Sequence, residues 1–333
     1  SAPTLVRLVE GLSGTVELET ELIIRFDYGS IVPWVRSLEG EVVAVGGPDT
    51  LRLRASVPLR GEGMTTVGTF TVRQGQIMPF VLTWHPSHTP PPPPLDDPVA
   101  AVQATAQKWR TWAAQCNYPC DGSLRHAVVR SLLTLKALTY APTGGIIAAP
   151  TCSLPEWIGG VRNWDYRYCW LRDSTFTLYA LLAAGYVEEA ERWRQWLVRA
   201  LAGTPDQISI MYGLAGERRL TEQVLPWLPG YEKSPPVRIG NAAHTQLQLD
   251  IFGEVMDTLH VARRRGLPFD ENSWRVQKAM MRHLAELWKE PDEGIWEVRG
   301  KRRHFTHSKV MAWVAFERTL CDLKTYNLDG PGE

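Results

Sequence analysis

The chain has 333 residues with 36 basic and 36 acidic side chains, so its formal charge at neutral pH is zero. That balance argues against nucleic acid or an anionic membrane surface as a partner, since either draws a basic excess or patch. No apolar run approaches the roughly 20 residues that span a bilayer, and the opening residues lack the basic-then-apolar pattern of a secretory signal.

The first ninety residues read as antiparallel strands. Val16, Leu18, Leu22, Ile24 and Phe26 keep a period of two with charges between them, the pattern of a strand with one buried face. Short β-rich runs follow at 42–45, 51–57, 65–72 and 80–84, separated by breaks such as Gly46-Gly47-Pro48. The chain opens directly on the apolar run Leu5 to Val9, so the sandwich is expected to be partial. The expected division is a partial β-sandwich over 1–89, a proline-rich linker with a lead-in helix over 90–122, and a helical domain over 123–333.

Pro90 to Pro94 is a stiff polyproline spacer. Beyond it the period becomes helical, with one apolar face on Leu124, Val128, Leu132, Leu135 and Leu138. Further helices are expected from about Phe176 to Gly185, Val187 to Gly203, Ala242 to Ala262, Ser273 to Trp288 and Phe305 to Leu323. Asp173 or Ser174 would cap the second. Helices in pairs joined by irregular loops fit an α/α toroid, although periodicity fits a plain bundle equally. The five cysteines, Cys116, Cys120, Cys152, Cys169 and Cys321, are scattered without zinc-ligand spacing and read as reduced thiols in a cytoplasmic protein.

The chemistry concentrates in two stretches. Gly160 to Asp173 packs four aromatics, three arginines and two aspartates into fourteen residues ahead of an apolar helix. Aromatic faces stack on sugar rings, while Arg and Asp supply forked donors and acceptors for hydroxyls. A core loop with structural ion pairs is the competing reading. The second stretch, Pro291 to Gly300, is a loop between helices in which Glu297 stands between Trp296 and Val298. A carboxyl against apolar walls is biased toward its neutral form, which a general acid needs; an ordinary exposed loop acid is the alternative. Three other features read more weakly. His304 and His307 share a helix start, but with no acidic partner at matching spacing they suit a structural or substrate-contact role better than a metal. Met211 to Gly216 could cover a pocket, and Arg238 could point into the same cleft.

Asn163-Trp-Asp-Tyr-Arg-Tyr-Cys-Trp-Leu-Arg-Asp173, Arg238-Ile-Gly-Asn-Ala-Ala243 and Gly294-Ile-Trp-Glu-Val-Arg-Gly300 with His304 to Trp313 together resemble the bacterial branch of glycoside hydrolase family 15. The family holds glucoamylases, α-glucosidases, glucodextranases and trehalases. The resemblance implies an N-terminal β-sandwich, a linker and an (α/α)6 barrel, and an inverting hydrolase that releases glucose from α-linked sugars. By motif, Glu297 takes the general-acid position. Trp170, Arg172 and Asp173 line the terminal glucose, and Trp296, Arg238 and His307 are further substrate contacts. Val298 departs from the family, which often has a second acid there.

An inverting reaction also needs a second carboxylate as base. The resemblance puts it beyond residue 333, so the chain is expected to be an internal fragment, about half a barrel, inactive alone. Glu317 and Asp322 read as solvated. Val310, Trp313, Val314 and Phe316 read as an unpartnered face through which copies could associate. The expected function is a glucoamylase- or trehalase-type hydrolase needing no metal or organic cofactor, with an α-glucoside or trehalose as partner. A disaccharide phosphorylase on a similar barrel, with an anion pocket at 299–303, and a noncatalytic sugar-binding protein are the rivals.

Overall fold

The computed structural model describes residues 2–38 and 40–330. The chain forms two compact units, one running to Thr111 and one starting at Trp112. In the first, β1 (Thr4–Glu10), β8 (Ile77–Pro86), β5 (Asp49–Ala55), β4 (Glu41–Gly46) and β3 (Trp34–Leu38) form one sheet in that order. A second sheet holds β2 (Thr15–Leu22), β7 (Thr65–Arg73) and β6 (Arg60–Glu62) in the order β2-β7-β6. All of their pairings are antiparallel. Phe70 of β7 meets Phe80 of β8 with ring centroids 5.6 Å apart, packing one sheet on the other. Ile24, Phe26 and Ala44 are buried together with Leu22 and Leu51 against them. The alternation that predicts a strand through Phe26 ends in pairing at Leu22; Ile24 and Phe26 keep their inward side without extending the ladder.

Seven helices appear among the described residues: α1 (Pro98–Ala114), α2 (Gly122–Ala137), α3 (Leu171–Ala183), α4 (Val187–Ala200), α5 (Asp250–Arg264), α6 (Glu271–Leu287) and α7 (Thr306–Tyr326). Within the second unit α3 packs on α5 and α5 on α7, while α4 packs on α6, so alternate helices lie in two layers. The core between them holds Trp193, Trp196, Tyr212, Phe252 and the leucines of α3 and α4. None of these helices is long and apolar enough to cross a membrane. All five cysteines are free.

Five expectations need correction. Trp170, not Asp173 or Ser174, stands at the N-cap of α3; Asp173 lies inside the first turn, where a carboxylate still favours the helix dipole. The helix expected from Ala242 begins only at Asp250. A 3-10 turn at Ala242–Thr245 is followed by extended backbone, because residues 247 and 249 give their N–H groups to acids of a neighbouring loop. Met211–Tyr212 is no lid: it pairs as β12 with β11 (Cys169–Trp170) and is buried in the core. Asp322 is not solvated but 2% exposed, between Arg263 and His260. Of the four residues read as an open face, Val310 and Trp313 are exposed, whereas Phe316 packs against the core.

Candidate active site

The loop carrying Glu297 is closed at its base by a β-bridge between Asp292 and Arg303, with N–H···O distances of 2.9 and 2.8 Å. It is stitched to the approach of α5 as well. Leu247 N–H donates to Glu293 Oε2 (2.7 Å), Leu249 N–H to Asp292 Oδ2 (3.0 Å), and Glu293 N–H to Leu247 O (3.0 Å). Gly294 sits at φ +70° with the Phe305 ring against it, so a side chain there would clash. Glu297 itself has φ +53°, an uncommon conformation for a side-chain-bearing residue. Such strain persists only where surroundings impose it, and it concentrates at functional positions.

The opposite wall comes from the β11–α3 junction. Pairing of β11 with β12 fixes Trp170, whose indole N–H donates to Glu297 Oε1 at 2.7 Å. Arg172, the second residue of α3, reaches the same oxygen at 3.4 Å, Asp173 Oδ2 at 3.3 Å and the Ile295 carbonyl at 3.0 Å. Gln246 donates to the Glu297 carbonyl at 3.3 Å. Burial raises the pKa of Glu297, and the Arg172 charge and the Trp170 hydrogen bond oppose that without reversing it. Asp173 is raised by burial too, with Arg172 pulling the other way.

Two guanidinium groups approach the Trp164 ring, those of Arg238 (4.7 Å from the ring centroid) and Arg299 (4.2 Å). Glu222 binds both, at 3.5 Å to Arg238 and at 3.1 and 2.6 Å to Arg299. Arg238 also donates to the Val161 carbonyl at 2.9 Å. Its polar atoms are therefore engaged in this wall rather than with Glu297. Trp296 is 85% exposed beside the acid. His307 sits in the first turn of α7, 3.8 Å from Asp250 Oδ2.

The structure thus brings Glu297, Trp170, Arg172 and Asp173 into one contact network. Trp296 adjoins it in the chain, while Arg238 and His307 belong to flanking clusters. Sequence reasoning passed over Asp250, Glu254, Glu222, Gln246 and Tyr166. Tyr166 is 5.9 Å from the Trp170 ring, and burial pushes its hydroxyl up to about 12, so it remains a donor. One signal was available: Asp250, Glu254 and Asp257 recur at helical spacing among the apolar residues of the first half of α5.

The chain is 41% identical to a trehalase of Mycobacterium tuberculosis over 94% of its length and 47% of the relative's. It is 31% identical to a trehalase of Thermoplasma volcanium over 99% of its length and 52% of the relative's. The chain spans about half the length of these relatives. Among solved structures, a putative kojibiose phosphorylase from human microbiome covers 86% of this chain and 40% of its own at a TM-score of 0.45 and 11% identity, too loose a likeness to bear on fold or function. The model of the glycosyl hydrolases family 15 matches residues 122–332, and the chain belongs to that family.

Proposed function

We propose that the full-length protein is an inverting, exo-acting α-glucosidase with Glu297 as general acid, and that trehalose is its substrate. Family membership and several relatives named trehalase support the substrate class. The alternation of α3, α5 and α7 in one layer with α4 and α6 in another supports reading the helices as part of an (α/α)6 toroid.

One observation carries the mechanism. Glu297 Oε1 accepts from both Trp170 and Arg172, so the other oxygen, Oε2, is the one left to hold a proton. Burial shifts the balance toward the protonated form. In the proposed reaction Oε2 protonates the glycosidic oxygen as the C1–O bond breaks. Water adds to C1 from the opposite face, and its proton passes to a second carboxylate, about 6.5–9.5 Å from the first in inverting enzymes. Arg172 and Asp173 hold hydroxyls of the terminal glucose, with Trp170 fixing the acid and Trp296 offering an exposed face to the sugar.

Phosphorolysis is less well supported. Two of the arginines that would form an anion pocket are paired with acids, Arg299 with Glu222 and Arg302 with Glu293 at 3.0 Å. A purely binding role leaves the strained backbone and raised pKa of Glu297 without a purpose. The test is Glu297→Gln in the full-length protein, assayed on trehalose and maltose with and without phosphate. The expected result is a fall in kcat of about 10²–10⁴-fold with sugar binding retained. Near-normal kcat would remove Glu297 from the acid role, and wild-type turnover that requires phosphate and yields a sugar phosphate would favour the phosphorylase.

A further inference from the structure

Behind Arg172, the N-terminal ends of α5 and α7 face each other. Asp250 and Glu254 stand one turn apart on α5, and His307 lies in the first turn of α7. One ligand-type atom from each of the three lies within 4.8 Å of the other two. Gly253 makes this approach possible, because its α-carbon faces the Met311 backbone of α7 with no room for a side chain.

The polar groups here are not satisfied by protein. Asp250 is fully buried, and neither of its carboxylate oxygens has a hydrogen-bond partner among the described residues. His307 Nε2 has none either, and its 3.8 Å separation from Asp250 is too long for a hydrogen bond. Buried Asp292 Oδ1 and Ser308 Oγ, adjoining in sequence or by charge, are also unpartnered. An isolated buried carboxylate costs several kcal/mol or more unless a counter-charge meets it. Arg172 is a nearby counter-charge, but it is shared among Asp173, Asp250, Glu254 and Glu297. A guanidinium already bonded to Asp173 and Glu297 makes no hydrogen bond to the buried Asp250 carboxylate.

We propose that Asp250, Glu254 and His307 bind a divalent cation. Two carboxylate oxygens and one imidazole nitrogen form a mixed set suited to ions of the manganese-to-zinc range. The cation would neutralise two acids, tie α5 to α7 and leave Arg172 to the sugar pocket. It takes no part in the proton transfer assigned to Glu297, and the inference stands or falls independently of the substrate.

The test is titration of the chelator-treated full-length protein with Mn2+, and separately with Zn2+, read by electron paramagnetic resonance for Mn2+ and calorimetry for both. One saturable site is expected, with affinity falling at least about tenfold in Asp250→Asn, Glu254→Gln and His307→Ala. Asp257→Asn, one turn further along α5, should bind as wild type does. Circular dichroism with chelator present establishes that each variant is folded, and the ion should raise the Tm of wild type but not of Asp250→Asn. No saturable site for either ion, or a site unaffected by all three ligand substitutions, overturns the proposal.

Discussion

Helices α5 and α7 carry buried ions at both ends, and the ends are built differently. At the C-terminal end, Asp322 is 2% exposed and both oxygens are used: His260 Nδ1 lies 2.7 Å from Oδ1, and Arg263 bonds Oδ2. Arg263 continues to Gln277 at 3.4 Å and lies over the rings of Trp274 and Tyr326. At the N-terminal end, Asp250 is equally buried yet has neither oxygen bonded, and Glu254 beside it is pushed by burial up to about 8. Both ends contain acid, histidine and arginine. Satisfaction separates them: a saturated cluster holds helices together, whereas an unsaturated one retains capacity for something else.

Substitution at each end tests that contrast most directly. Asp322→Ala leaves Arg263 buried and unpaired, and the expected loss of stability is about 3–5 kcal/mol, read by urea unfolding of the full-length protein. Asp250→Asn, with chelator present, removes a charge that no hydrogen bond satisfies and should leave the protein at least as stable as wild type. Equal losses at both ends would dissolve the distinction.

Arg172→Ala carries the comparison into function. It should lower kcat/KM for trehalose by about 10²-fold, because both the proposed glucose contacts and the placement of Glu297 depend on that side chain. Asp322→Ala, assayed well below its unfolding transition, should leave the same ratio within severalfold.

The acid's own environment sets a pH signature. Burial raises the Glu297 pKa, so the protonated form persists above the ordinary carboxyl range and activity falls as pH rises through the raised value. Trp170→Phe removes a donor that favours the ionised form. The pKa should then rise further, and the alkaline limb of the kcat/KM profile should move up by about 1–2 pH units, the equivalent of a charge-assisted hydrogen bond. A shift to lower pH would show that the indole does not act on Glu297 as described.

The smallest expected effect lies at the start of α6, which precedes the saturated cluster. Asp270 caps α6 by accepting from Ser273 N–H at 2.6 Å. Asp270→Ala should cost about 1 kcal/mol in urea unfolding without changing kcat. A larger loss would mean that the cap and the Arg263 cluster unfold as one unit.

Much of the architecture follows from local pattern. Period-two alternation and β-branched runs mark the strands, and apolar spacing with Gly185 and Gly203 as stops marks α3 and α4, because side-chain periodicity is a property of consecutive residues. The motif around Glu297, Arg172 and Asp173 was legible for a similar reason: aromatic and charged residues crowded into short loops are unusual at any depth. The start of α5 was not legible, since residues 247 and 249 give up helical hydrogen bonds to acids more than forty residues away. The burial of Asp322 was hidden too, because its partners His260 and Arg263 lie on another helix.

His307 shows where the boundary falls. Its sequence neighbours offer no acid at ligand spacing, and reading along the chain therefore disfavours a metal. Asp250 and Glu254 reach it only when α5 and α7 pack side by side at Gly253. Residue types, helical faces and the acid-bearing loop were set by the sequence itself, through short-range sterics and apolar spacing. Which carboxylates share one arginine, and which of them find partners, was decided by helix packing that brings distant residues within a few ångströms.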